Sequence, residues 1–269
     1  MTHFISDEYL DSETAVNTEM PLAMYYRNNL ATHFEYFKIK KYDYLACKYL
    51  YSDDIYTDSA ILYHSCERYK YQYVWPTIEP PENSKYTLVL DMDHTMVFST
   101  QLYSTLEEYD YQVSNKFFGF FRPYLMEFLN EIKRYYEIIV FTAAKKKYAD
   151  TILDIIDPEC TIFSHRLYFR DCTKINAKYV KNLNKLNRDL KKTVIVDDNT
   201  NSFILQIFNG IPINAWIGDP SDVSLKKLAK FLKQLLFFDD VLPVLQQTFQ
   251  ISDKLSLAYR NYIENEIVL

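Results

Sequence analysis

Hydrophobic positions along the chain fall into two regimes. Over residues 1–75 they recur at helical spacing, as in Tyr26, Leu30, Phe34 and Phe37 and again in Leu62, Cys66 and Tyr69, which predicts helices. Beyond residue 86 short continuous apolar runs appear at 87–90, 137–141, 193–196 and 214–217, with the length and composition of strands buried on both faces. Between these runs the period returns to that of a helix. Residues 122–134 carry Leu125, Phe128, Leu129 and Ile132 on one stripe with Pro123 in the first turn, and 145–156 carry Ala149, Ile152, Leu153 and Ile156. Residues 177–190 repeat this with Tyr179, Leu183, Leu186 and Leu190, and 222–238 with Leu225, Leu228, Leu232 and Leu235. Strands alternating with helices predict right-handed crossovers and an α/β fold on a doubly wound parallel sheet, whose ligand site lies beyond the carboxyl ends of its strands.

Three prolines between Trp75 and Lys85, without periodicity, mark a connection. The expected organisation is an N-terminal helical extension over 1–80, an α/β unit over 81–250 and a C-terminal helix or tail over 251–269. The first two strand runs are separated by a short insertion, residues 98–121, in which Tyr109, Tyr111 and Val113 alternate ahead of Phe117-Phe-Gly-Phe-Phe121. It is too small for a large closing lid, and alternation puts both tyrosines on one face of an aromatic hairpin, where they are candidates to line a groove.

With 269 residues, 48% hydrophobic, the chain can bury about three quarters of its surface, so folding needs no staples. The three glycines, Gly119, Gly210 and Gly218, cannot build a glycine-rich phosphate loop. A net charge of -6 argues against an extended nucleic-acid track, and the Lys38, Lys40 and Lys41 cluster reads as a solvated face. Cys47, Cys66, Cys160 and Cys172 form no C-x-x-C pair and no leader precedes them, so free thiols in a reducing intracellular compartment are expected. The longest apolar stretch, near 135–144, is too short to span a bilayer, so no membrane anchor is expected.

Candidate chemistry sits just past the predicted strands: Asp91 and Asp93 after the first, Thr142 after the second, Asp197 and Asp198 after the third. Four carboxylates in one partly dry crevice repel strongly, by roughly 4 kcal/mol for unit charges about 4 Å apart at an effective dielectric near 20. A hard divalent cation relieves that repulsion, and an oxygen-rich set of this kind suits Mg²⁺ with a substrate phosphate.

These segments resemble the haloacid dehalogenase superfamily and, within it, the phosphatases of the RNA polymerase II C-terminal domain and their small, NLI-interacting-factor-like relatives. The resemblance covers residues 86 to about 245. It rests on Leu88-Val-Leu-Asp-Met-Asp-His-Thr-Met-Val97, on Phe121-Arg-Pro-Tyr-Leu-Met-Glu-Phe-Leu129 and on Ile139-Val-Phe-Thr-Ala-Ala144 with Lys147-Tyr-Ala-Asp150. Phe163-Ser-His-Arg-Leu167, Tyr179-Val-Lys-Asn-Leu183 and Val194-Ile-Val-Asp-Asp-Asn199 complete it.

The resemblance implies a Rossmann-like fold and a phosphoserine/phosphothreonine phosphatase. It makes Asp91 the nucleophile that forms an aspartyl-phosphate and Asp93 the general acid. Thr95 would hold the loop at the substrate, Thr142 would bond a phosphoryl oxygen and Lys181 would neutralise transferring charge. Mg²⁺ would be held by the Asp91 carboxylate, the Asp93 carbonyl and Asp198, with Asp197 orienting Lys181. Two departures are His94, where relatives often carry Glu or Gln, and Asn182, which replaces an acid; the side chain of His94 is expected to alternate away from the two acids. The implied partner is a phosphorylated tail like that of the polymerase C-terminal domain, and the implied location the nucleus. A catalytically silent adaptor and a phosphatase of small phosphate esters are the alternative functions.

Overall fold

The computed structural model describes residues 62–63, 66, 76–79, 86–101, 109–114, 117–175 and 178–257. The helices predicted around residues 26–37, the lysine cluster, Cys47 and the chain beyond 257 lie outside these residues. Of the extension, Leu62 and Tyr63 are helical, and Leu62 and Cys66 are buried in the core. Residues 76–79 are tied to the α/β unit by Thr77 N donating to Lys185 O at 2.6 Å and Arg188 Nη1 donating to Glu79 O at 2.6 Å.

Five strands form one parallel sheet: β1 (Tyr86–Leu90), β5 (Tyr136–Phe141), β6 (Phe163–Leu167), β9 (Thr193–Asp197) and β10 (Gly210–Pro212). Their order is β10-β9-β1-β5-β6, so the sheet grows outward from β1 in both directions. Every residue of β9 and all but the first of β1 are buried, as expected of strands covered on both faces. Helices α1 (Leu125–Ile132), α2 (Lys146–Ile156) and α3 (Ser224–Leu235) form where the apolar stripes predict them, and α1 packs on α3. A further helix, α4 (Leu242–Phe249), has Pro243 in its first turn, where a missing N–H costs nothing. Residues 251–257 are helical, with Ile251 and Leu255 buried in the same core. Among the described residues no helix is long and apolar enough to cross a membrane.

The insertion is a small antiparallel sheet of β2 (Val97–Gln101), β3 (Tyr111–Ser114) and β4 (Phe117–Phe121), in the order β2-β4-β3. Two predicted elements differ from those observed. The last strand of the sheet is not 214–217 but Gly210–Pro212, an edge strand where Pro212 needs no ladder donor; Trp216 instead turns its backbone N–H to His94 O at 2.8 Å. Residues 177–190 are not one helix. β7 (Thr173–Ile175) and β8 (Lys178–Val180) pair as a hairpin, a single turn follows at Leu183–Leu186, and Asn187 at φ 53 ends it in the left-handed region. Val180, Leu183 and Leu186 are buried one by one by tertiary contacts rather than as a stripe.

Candidate active site at the carboxyl ends of the strands

β1 ends at Leu90, but Asp91 N still donates to Val196 O at 3.0 Å, so Asp91 emerges from the sheet between β5 and β9. Asp197 closes β9, almost wholly buried. Lys181 follows the β7–β8 hairpin, its backbone N–H anchored on Ser202 O at 2.6 Å. Its buried Nζ donates to Asp91 Oδ1 and, at 2.6 Å, to Asp197 Oδ2. Asn199 N fixes the other Asp197 oxygen at 2.9 Å. One oxygen each from Asp91, Asp197 and Asp198 lies within 4.8 Å of the others.

One ammonium therefore faces three carboxylates in a low-dielectric pocket. Burial works against the Lys181 charge, yet Asp197 and then Asp91 outweigh it and hold the ammonium above its ordinary value. Burial, and then the Asp91 charge, push Asp198 up to about 7. Such an excess of hard oxygen donors over one ammonium is a set that can hold a divalent cation.

A pH dependence follows from Asp198. With a folded value of about 7 against about 3.9 unfolded, the native state binds the extra proton between them, so stability falls as pH rises through that window, by a few kcal/mol at most. Thermal unfolding in a chelator should show that downward slope between about pH 4 and 7, and both saturating Mg²⁺ and Asp198→Asn should make it shallower, the part that remains coming from Asp197, which burial also pushes up to about 7. A slope unaffected by either would remove Asp198 as its source.

Asp93 lies past β1, and burial holds its carboxyl above the ordinary range against the pull of Tyr148, whose hydroxyl donates to Asp93 Oδ1 at 2.7 Å. Thr142 is buried at the end of β5; its Oγ1 accepts Ala144 N at 3.0 Å, which leaves the hydroxyl hydrogen available as a donor.

Three sequence expectations change here. Thr95 is wholly buried and among the described residues its Oγ1 has no hydrogen-bond partner, so no contact of this hydroxyl accounts for the shape of the loop. Tyr111 and Tyr109 part company because Tyr109 precedes β3: Tyr111 is 2% exposed and belongs to the core, while Tyr109 is 45% exposed with its ring on Phe118. The alternation argument for His94 fails because the chain has left the strand. His94 takes φ 62, its N–H bonds Val97 O at 2.7 Å, and its Nδ1 lies 3.2 Å from Trp216 O.

Sequence reasoning assigned no role to the residue that holds this loop. Arg122, 1% exposed, donates to Thr95 O at 3.1 Å, to Asn214 O at 3.1 Å and to both Asp222 oxygens at 3.0 and 2.9 Å. Its signal in the sequence is an arginine ahead of Pro123 at the start of an amphipathic helix. Tyr148 was likewise visible in Lys147-Tyr-Ala-Asp150 without a partner to give it meaning.

The family model described as NLI interacting factor-like phosphatase matches residues 86–242. The chain is 36% identical over 188 residues to CTD small phosphatase-like protein 2 of Dictyostelium discoideum, covering 67% of this chain and 33% of that protein. It is 37% identical over 179 residues to CTD small phosphatase-like protein 3 of Caenorhabditis elegans, covering 63% and 61%. To carboxy-terminal domain RNA polymerase II polypeptide A small phosphatase 1 of Homo sapiens it is 32% identical over 183 residues, covering 65% and 69%. It thus spans between 33% and 61% of the length of the first two relatives.

Proposed function

Because this chain belongs to the NLI interacting factor-like phosphatase family, within the haloacid dehalogenase superfamily, we propose that it is a Mg²⁺-dependent phosphoserine/phosphothreonine protein phosphatase working through an aspartyl-phosphate on Asp91. The observation that carries the reading is the Lys181 ammonium shared between Asp91 and Asp197 with Asp198 beside them. Lys181 holds Asp91 aimed through one oxygen, so that the other can attack phosphorus as the seryl oxygen departs. Asp93 delivers the proton to that oxygen and afterwards takes one from the water that hydrolyses the acyl phosphate. Thr142 donates its hydroxyl hydrogen to a phosphoryl oxygen, and Lys181 offsets the charge that gathers there. Mg²⁺, held by the Asp91 carboxylate, the Asp93 carbonyl and Asp198, would supply further neutralisation of phosphoryl charge.

The unit proposed to act spans 81–250, with 1–80 and 251–269 flanking it. Its substrate is proposed to be an extended phosphorylated tail like that of the RNA polymerase II C-terminal domain, the target named in the human relative, which would place the protein in the nucleus. Half-exposed Tyr109 and Phe117 on the small sheet offer an aromatic surface for its prolines. The test is turnover of phosphoserine-proline peptides and small phosphate esters with Mg²⁺ and with chelator. Metal-dependent release of phosphate with higher kcat/KM on the peptides is expected; no release from any of them would overturn the reading, and preference for the small esters would move it to metabolite hydrolysis.

A further inference from the structure

The small sheet is joined to Asp93 by a line of hydroxyl groups. Tyr111 OH lies 2.8 Å from Ser99 Oγ, Ser99 Oγ lies 2.7 Å from Tyr148 OH, and Tyr148 OH lies 2.7 Å from Asp93 Oδ1. These groups come from β3, β2 and α2. Their polarity is determined from the carboxylate end. Tyr148 must donate to Asp93, its oxygen then accepts from Ser99, and Ser99 accepts from Tyr111, so every hydroxyl hydrogen points toward the acid. Burial is the main influence holding both phenols above their ordinary value, so they remain donors. The line also accounts for Gly119 in the aromatic run: a Cβ there would stand 2.0 Å from Cζ of Tyr111, so any side chain would push that ring off Ser99.

We propose that Tyr148, backed by Ser99 and Tyr111, is the positioning residue of the general acid: it occupies Oδ1 of Asp93 so that the transferable proton resides on Oδ2, turned to the leaving oxygen. The inference rests on the phosphatase reading given above. In the step concerned, the bond from an Asp91 oxygen to phosphorus forms, the bond from phosphorus to the ester oxygen breaks with its electron pair staying on that oxygen, and the proton on Asp93 Oδ2 moves to it. Without the Tyr148 hydrogen bond, Asp93 can rotate and the proton is delivered from either oxygen or late. Such a defect matters most when the leaving oxygen is basic and least when it departs unaided.

The test uses the full chain with Mg²⁺ and a series of phenyl phosphates that differ only in ring substituent, so that size and contacts stay constant. The reading is kcat/KM, which reports phosphoryl transfer to Asp91 and excludes the later water step. Tyr148→Phe is expected to lower kcat/KM on phenyl phosphate about ten- to a hundredfold and on 4-nitrophenyl phosphate by about threefold or less, steepening the dependence on leaving-group basicity. Ser99→Ala should steepen it less, and Ser99→Thr, which restores a hydroxyl, should return it toward wild type. Equal losses across the series in a folded Tyr148→Phe protein would overturn the inference and make Tyr148 a packing residue. Should Tyr148→Phe not fold, Ser99→Ala carries the same decision. A wild-type protein silent on the whole series and on phosphopeptides would overturn the phosphatase reading and this inference with it.

Discussion

Asp91→Asn should lower turnover of a phosphoserine-proline peptide on the order of 10³-fold or more while leaving the thermal midpoint level or higher. An amide cannot attack phosphorus, but its carbonyl oxygen can still accept from Lys181, so the hydrogen bond that anchors the ammonium survives. The substitution also removes one of three crowded carboxylates, and with it part of the repulsion that raises Asp198. Steady-state kinetics and thermal unfolding in the same buffer separate the two effects. Wild-type turnover by a folded Asp91→Asn protein would dispose of the covalent mechanism, whereas a collapse of the thermal midpoint would make the carboxylate a structural requirement.

Lys181→Met should cost about 3–5 kcal/mol of stability, and the loss should deepen as pH rises. Methionine keeps the length and packing of the lysine stem, so the change isolates the charge. Asp91 and Asp197 then face each other with no ammonium between them, and Asp197, which burial pushes up to about 7 even against the pull of Lys181, binds its proton more tightly still in the folded state. The native protein retains protons that the unfolded chain has given up, which is a penalty that grows with pH. Chemical denaturation at about pH 5.5 and about pH 8 measures it. A loss independent of pH, or one below about 1 kcal/mol, would mean that the acids are not ionised against Lys181.

What the sequence disclosed, and what it hid, divides along the reach of the interactions. Runs such as 87–90 and 193–196 are apolar at every position because both faces of the parallel sheet are covered, and that alone fixes their type. Acids directly after such runs must emerge at one edge of the sheet, so the position of Asp91, Asp197 and Asp198 was legible. Lys181 reaches the same pocket although the periodicity of its segment predicts a helix, because Val180 at the end of a hairpin and Leu183 and Leu186 in the turn after it meet the core at a spacing that imitates a helical stripe. The role of Tyr111 was hidden for a related reason. Alternation assigns a face but does not say whether that face meets solvent or α2, and the Ser99 to Tyr148 contact joins positions 49 residues apart. Nor can periodicity describe the loop after β1, where His94 takes φ 62 and the carbonyls turn toward Arg122.

The place of β1 at the middle of the sheet sets a schedule for synthesis. Thr87 pairs with Glu137, 50 positions later, and with Thr193, 106 positions later. At roughly 5–20 residues per second the ribosome needs about 3–11 s to travel from the first partner to the second. Through that interval β1 can be paired along β5 while its other side, the apolar residues Leu88, Val89 and Leu90, has unused N–H and C=O groups awaiting β9. An unpaired apolar edge of this kind recruits strands from other chains. A nascent chain that stalls before Thr193 is therefore a template for aggregation and an early client for chaperones, and Asp197 and Asp198, which complete the acid cluster around Asp91, arrive only with the strand it lacks.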